Sequence, residues 1–102
     1  MRRDLHPTDG ARYLLERAGE NEGGGEVAAR VRYRATIFTP DSAFASDAVL
    51  GTDGSVSLGE TGAPAELHAR LASLARLVAR DAGKLAADGM PAWPMRILRW
   101  RR

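Results

Sequence analysis

The sequence predicts an α+β fold: a three-stranded antiparallel meander with a long helix packed on one face, a C-terminal fourth strand and a short N-terminal helix, in the order α-β-β-β-α-β. Three observations carry this reading. Apolar residues alternate with period two from Val27 to Ile37, turn signatures follow at Thr39–Ser42 and Thr52–Gly54, and a helical pattern runs unbroken over 64–88. With 102 residues, 44% of them hydrophobic, the chain has apolar content for one core and is short for two. The expected organisation is therefore a single domain over 1–102, with an N-terminal helix and Gly/Glu linker in 1–26 and the main core in 27–102.

Residues 8–18 fit a short helix, because Thr8 suits the N-cap and Ala11, Leu14, Leu15 and Ala18 share one helical face. Gly19 would end it. The stretch Glu20 to Glu26 reads as a flexible linker. Its glycine triplet lacks the following Gly-Lys-Ser/Thr, or the helix start, that a phosphate-cradling loop needs.

In the first strand Val27, Ala29, Val31, Tyr33, Ala35 and Ile37 form one face, and Ala28, Arg30, Arg32, Arg34, Thr36 and Phe38 the other. Thr39-Pro40-Asp41-Ser42 is a turn, with proline presetting one backbone angle and Asp able to bond back to the chain. A four-residue loop there pairs Ile37 with Phe44, Tyr33 with Ala48 and Val31 with Leu50, and sets Arg34 opposite Asp47. A three-residue loop at Thr52–Gly54, with Gly54 left-handed, then pairs Leu50 with Val56 and Ala48 with Leu58.

The long helix is expected over 64–88, with Pro64 and Glu66 in its first turn and Gly89 stopping it. Leu67, Leu71, Leu74, Val78 and Leu85 supply the expected core stripe. A second margin of Ala69, Ala72, Leu77, Ala79 and Ala86 widens the apolar arc toward a further contact, the N-terminal helix or another subunit. Arg76, Arg80 and Lys84 suit the negative end of the helix dipole. Pro91 and Pro94 force an extended stretch around Trp93, and Met95 to Arg101 form the last strand. A helix returning from the third strand leaves that strand parallel in direction to the first and third, and the expectation is that it pairs with the first.

Composition narrows function. The chain has no cysteine, which removes disulfides, thiolate catalysis and Cys-based zinc sites. No run approaches the roughly 20 apolar residues of a membrane span, and no apolar region follows the early arginines, so the expected location is cytoplasmic with no membrane partner. Net charge is +2, with acids gathered over Glu16–Glu26 and arginines over Arg96–Arg102. Lys84 is the single lysine, a usage that a GC-rich genome explains better than recognition chemistry does. His6 and His68 have no sequence-visible catalytic partner, and Asp41, Asp47 and Asp53 lack calcium-loop spacing, so no catalytic residues, metal or cofactor are expected.

The feature that stands out is a basic-aromatic surface. If the apolar face of the first strand meets the helix, Arg30, Arg32 and Arg34 project from the other face, and Arg96, Leu98, Trp100 and Arg102 join them from the last strand. The leading expectation is a small non-enzymatic binding or interaction module, self-associating into a homodimer or binding another protein. Phe38, Val49, Leu98 and Trp100 would be its apolar patch within a rim of arginines. The alternative is a nucleic-acid-binding protein using the same face. The third is a small-molecule enzyme whose site the sequence does not reveal.

Overall fold

In the computed structural model, which describes residues 6–18 and 30–101, strands β1 (Ala11–Arg17), β2 (Arg30–Phe38), β3 (Ala43–Gly51) and β4 (Val56–Leu58) precede helix α1 (Ala65–Ala87) and strand β5 (Arg96–Arg101). Among the described residues the fold is mixed α+β, an antiparallel sheet of five strands with one long helix. The linker expected over Glu20–Glu26 and the strand start at Val27–Ala29 lie outside the described residues.

The largest correction concerns 11–17, which is a strand and not a helix. Ala11, Tyr13 and Leu15 point to the helix side of the sheet, Arg12, Leu14 and Glu16 to the other, and Leu14 and Leu15 are both fully buried. A strand apolar on both faces does not alternate cleanly, and Leu14-Leu15 then imitates a helical stripe. The strand itself covers seven residues, an ordinary strand length. The core accordingly includes Tyr13 and Leu15 and is not confined to 27–102.

Insertion of β1 also corrects the strand order, which is β4-β3-β2-β1-β5. The last strand runs in the same direction as β2 and β4, as expected, but it pairs antiparallel with β1, placing Leu15 opposite Ile97 and Tyr13 opposite Arg99. The expected registers of the meander hold. Ile37 faces Phe44, Tyr33 faces Ala48 and Arg34 faces Asp47, and Leu50 faces Val56 while Ala48 faces Leu58. Gly54 adopts φ 89° in the second turn, a left-handed angle that side-chain-bearing residues rarely tolerate.

The helix lies within one residue of its expected bounds, but rotated. Its fully buried residues are Leu71, Ala75, Ala79 and Ala82. Leu67, Leu74 and Val78 are only partly buried beside them, and Leu85, expected in the stripe, is 36% exposed. At 100° per residue the buried face is turned roughly 70° toward the alanines. The cause is close approach: α1 packs chiefly over β3 and β4, and a Cβ on Gly83 would sit 2.5 Å from the Thr52 carbonyl oxygen. Beyond the helix, the Met90 amide donates to the Leu85 carbonyl and the Gly89 amide to that of Ala86, with Gly89 at φ 72°, a closing arrangement that satisfies the last carbonyls.

The segment entering β5 is pinned to the sheet. Ala92 and Trp93 are buried, the Tyr33 hydroxyl donates to the Pro94 carbonyl at 2.6 Å, and Arg17 Nη1 donates to the Trp93 carbonyl at 2.8 Å. Met95, expected to open the last strand, lies just before β5 and is 65% exposed, whereas Ile97 is buried.

Two outcomes test this packing. Leu15→Ala should cost about 2–5 kcal/mol of stability, by the usual cavity penalty, while Leu85→Ala should cost less than about 1 kcal/mol in chemical denaturation. Equal small losses would remove β1 from the core. Burial pushes the Tyr33 phenol up to about 12 from its ordinary 10.0, against a lesser opposing pull from Arg17. A raised folded value means the contribution is complete below pH 10 and is lost as pH climbs from about 10 to about 12. Wild type should therefore lose stability more steeply than Tyr33→Phe across that window, and parallel pH profiles would refute this.

Candidate functional site

Register turns the sheet face opposite α1 into a set of cross-strand rows. Pairing places Arg96 beside Glu16, Glu16 beside Arg34, and Arg34 beside Asp47, a row of alternating charge. The next row runs Leu98, Leu14, Thr36, Ala45, and the one after it Trp100, Arg12, Phe38, Ala43. Opposite charges directly across strands attract modestly, so the first row is internally compensated.

Arg30, Arg32 and Arg34 all lie exposed on this face of β2, and Arg96, Leu98 and Trp100 lie on the same face of β5. Arg102 lies outside the described residues. The two groups share a face but are not neighbours, because β1 separates them by two strand spacings, roughly 10 Å. The intervening Arg12, Leu14 and Glu16 are the site residues that the sequence reading missed, having been assigned to a helix.

The expected apolar patch is also redrawn. Phe38 is buried to 4% exposure and forms a small second cluster with Leu14, against which half-buried Leu98 packs. Part of its cover comes from the N-terminal segment. The His6 ring stands edge-on to Phe38 with centroids 5.2 Å apart, and its Nδ1 donates to the Thr39 carbonyl at 2.7 Å. Trp100 remains 47% exposed, and its indole Nε1 donates to the Asp9 carbonyl at 3.1 Å. The indole is thus held by its polar edge beside the apolar row while much of its surface meets solvent.

The second histidine is occupied elsewhere: His68 Nδ1 is hydrogen-bonded to the Thr61 hydroxyl at 3.1 Å, bracing the loop into α1. Among the described residues, no three His, Asp or Glu side chains gather in a metal-binding group. No helix among them is long and apolar enough to cross a membrane. The chain matches no family model, no curated protein and no solved structure.

The charge row has a measurable consequence. Glu16→Gln leaves Arg34 and Arg96 flanking a neutral residue, and should lower stability by about 1 kcal/mol at low ionic strength. The difference from wild type should shrink in molar salt, where exposed charges are screened within about 3 Å. A salt-independent difference would mean that Glu16 acts through packing instead.

Proposed function

We propose that this chain is a non-enzymatic interaction module that self-associates through the sheet face opposite α1 and its C-terminal strand, with Trp100 and Leu98 at the centre of the contact. The observation that carries the reading is Trp100, a large aromatic 47% exposed, opposite Arg12 and beside the row that holds Leu98 and Leu14. Such a residue beside a polar rim is the usual anatomy of a protein contact. The alternating row Arg96, Glu16, Arg34, Asp47 favours a second copy, because a two-fold operation brings the same patch against itself and lets each cation meet an anion. The engagement of His6 and His68 in structural hydrogen bonds supports the non-enzymatic part.

Nucleic acid is the second reading, favoured by the exposed indole on a face that also carries Arg30, Arg32, Arg34 and Arg96. The same face presents Glu16 and Asp47 within the basic field, where they oppose a phosphate backbone. Sedimentation velocity on wild type and Trp100→Glu, with circular dichroism on both, tests the proposal. A folded mutant that shifts from dimer to monomer supports it, and a wild type that is monomeric throughout overturns it. Oligonucleotide binding that weakens steeply with salt would instead establish the second reading.

A further inference from the structure

The other side of the sheet holds a cleft that the contact face does not explain. Because α1 lies mainly over β3 and β4, its far flank stands away from β5, leaving a cleft of roughly 780 Å³. Arg70, Ser73, Leu74 and Leu77, spaced three and four apart along one flank of α1, form one wall. Arg99 and Arg101 of β5 form the other, Tyr13 of β1 lies between, and Trp100 completes the lining. Register explains the convergence, since Tyr13 pairs directly with Arg99, and small Ala11 pairs with Arg101.

Its polar groups are of one kind. Among the described residues, three guanidinium groups line the cleft and no carboxylate does. Tyr13 is 2% exposed, and its buried hydroxyl has no hydrogen-bond partner. A buried hydroxyl left in that state has given up its hydrogen bond to water without a replacement, which a bound acceptor would supply. The Ser73 hydroxyl accepts from Arg76 at 3.3 Å, leaving its own proton to donate. Arg99 uses one nitrogen on the adjacent Leu98 carbonyl and keeps the rest of its fork. Every polar side chain here can offer a donor, so the complementary group is an acceptor-rich anion.

The rest of the lining defines what the anion is attached to. Leu74 is half-buried and Leu77 is 47% exposed, both on the cleft wall, and they rise only about 4.5 Å along the helix. That length suits one ring or a short alkyl chain and is too short for a long acyl chain. The cleft volume lies within the roughly 300–1,000 Å³ typical of small-molecule sites.

We propose that this cleft binds a small organic phosphate monoester with a compact apolar body, its phosphate held by Arg70, Arg99 and Arg101 with the Tyr13 hydroxyl, and its body against Leu74 and Leu77. A phosphate is favoured over a carboxylate because its three terminal oxygens can engage more of this donor set than two can. The proposal does not require self-association, and the arginines that carry it lie off the contact face, but Trp100 borders both surfaces.

Calorimetric titration of the full-length protein with phenyl phosphate at low salt tests it, with benzoate, inorganic phosphate and benzyl alcohol as comparison ligands. Phenyl phosphate should bind at least about tenfold more tightly than each of the other three. Arg99→Gln and Arg70→Gln, checked for folding by circular dichroism, should each weaken it about tenfold or more, the usual scale for a hydrogen bond to a charged group. Arg70 lies on the helix surface, so its variant reports even if the β5 substitution unfolds the chain. Tyr13→Phe loses no existing hydrogen bond and should weaken binding severalfold without lowering stability. Absent binding, equal binding of benzyl alcohol, inorganic phosphate or benzoate, or unchanged affinity in the folded arginine variants would each overturn the proposal.

Discussion

The double pairing of β1 is the constraint on which the remaining architecture depends. Its backbone bonds to β2 along one edge and to β5 along the other, and it buries Leu14 and Leu15 on opposite faces of the sheet. Without it β5 would have no strand beside it, and the segment around Trp93 would lose the Arg17 guanidinium that holds its carbonyl. Both surfaces described above also take their middle from β1: Glu16 divides Arg34 from Arg96 on one face, and Tyr13 lies between Arg99 and the helix on the other. A strand buried on both sides is thus a structural element and the common floor of the two proposed sites.

A second constraint, the closeness of α1 to the β3–β4 turn, decides where the helix leaves room. Ala75, Ala79 and Ala82 present little bulk to the sheet, and Gly83 meets the Thr52 carbonyl where no side chain would fit. Small residues let backbones approach, and the gain in contact on that side tilts coverage away from β5. The leucines follow from the same rotation. Leu71 stays at the centre, Leu74 moves to the flank, and Leu77 and Leu85 are left substantially exposed. The cleft between α1 and β5 is the geometric remainder of packing the alanine face first.

What the sequence disclosed, and what it did not, follows from the same physics. The registers of β2, β3 and β4 were legible because each strand has one apolar face and each intervening turn has residues that fix its length, Pro40 in one and Gly54 in the other. A one-residue slip would have turned every apolar side chain outward. β1 was not legible because Leu14 and Leu15 are apolar on both faces, which erases the alternation. The helix bounds were marked by Pro64 and Gly89, but its rotation was not, since leucines suggest a stripe more strongly than alanines do, and only tertiary approach reveals which stripe is buried. On β5, extending the period of two inward from Ile97 would have placed Arg99 and Arg101 on the helix side, a signal present in the sequence. Arg70 gave none, because nothing local distinguishes it from the other helical arginines.

β5 borders both proposed sites while giving them different electrostatics. On its outer face Arg96 has an acid across the neighbouring strand, and Arg34, one strand further, has acids on both sides. Charge there is balanced in place and suits a protein surface that carries both signs. On its inner face Arg99 and Arg101 sit with Arg70 in a cleft whose lining, among the described residues, holds no acid. Like charges gathered in a concave site focus their potential and raise the local concentration of anions. A mixed, flat face and an unbalanced, concave one recognise different chemistry even when one strand supplies both. The alternation of that strand, one residue up and the next down, is what lets six residues border both the proposed contact face and the proposed anion cleft, with Trp100 at the margin of each.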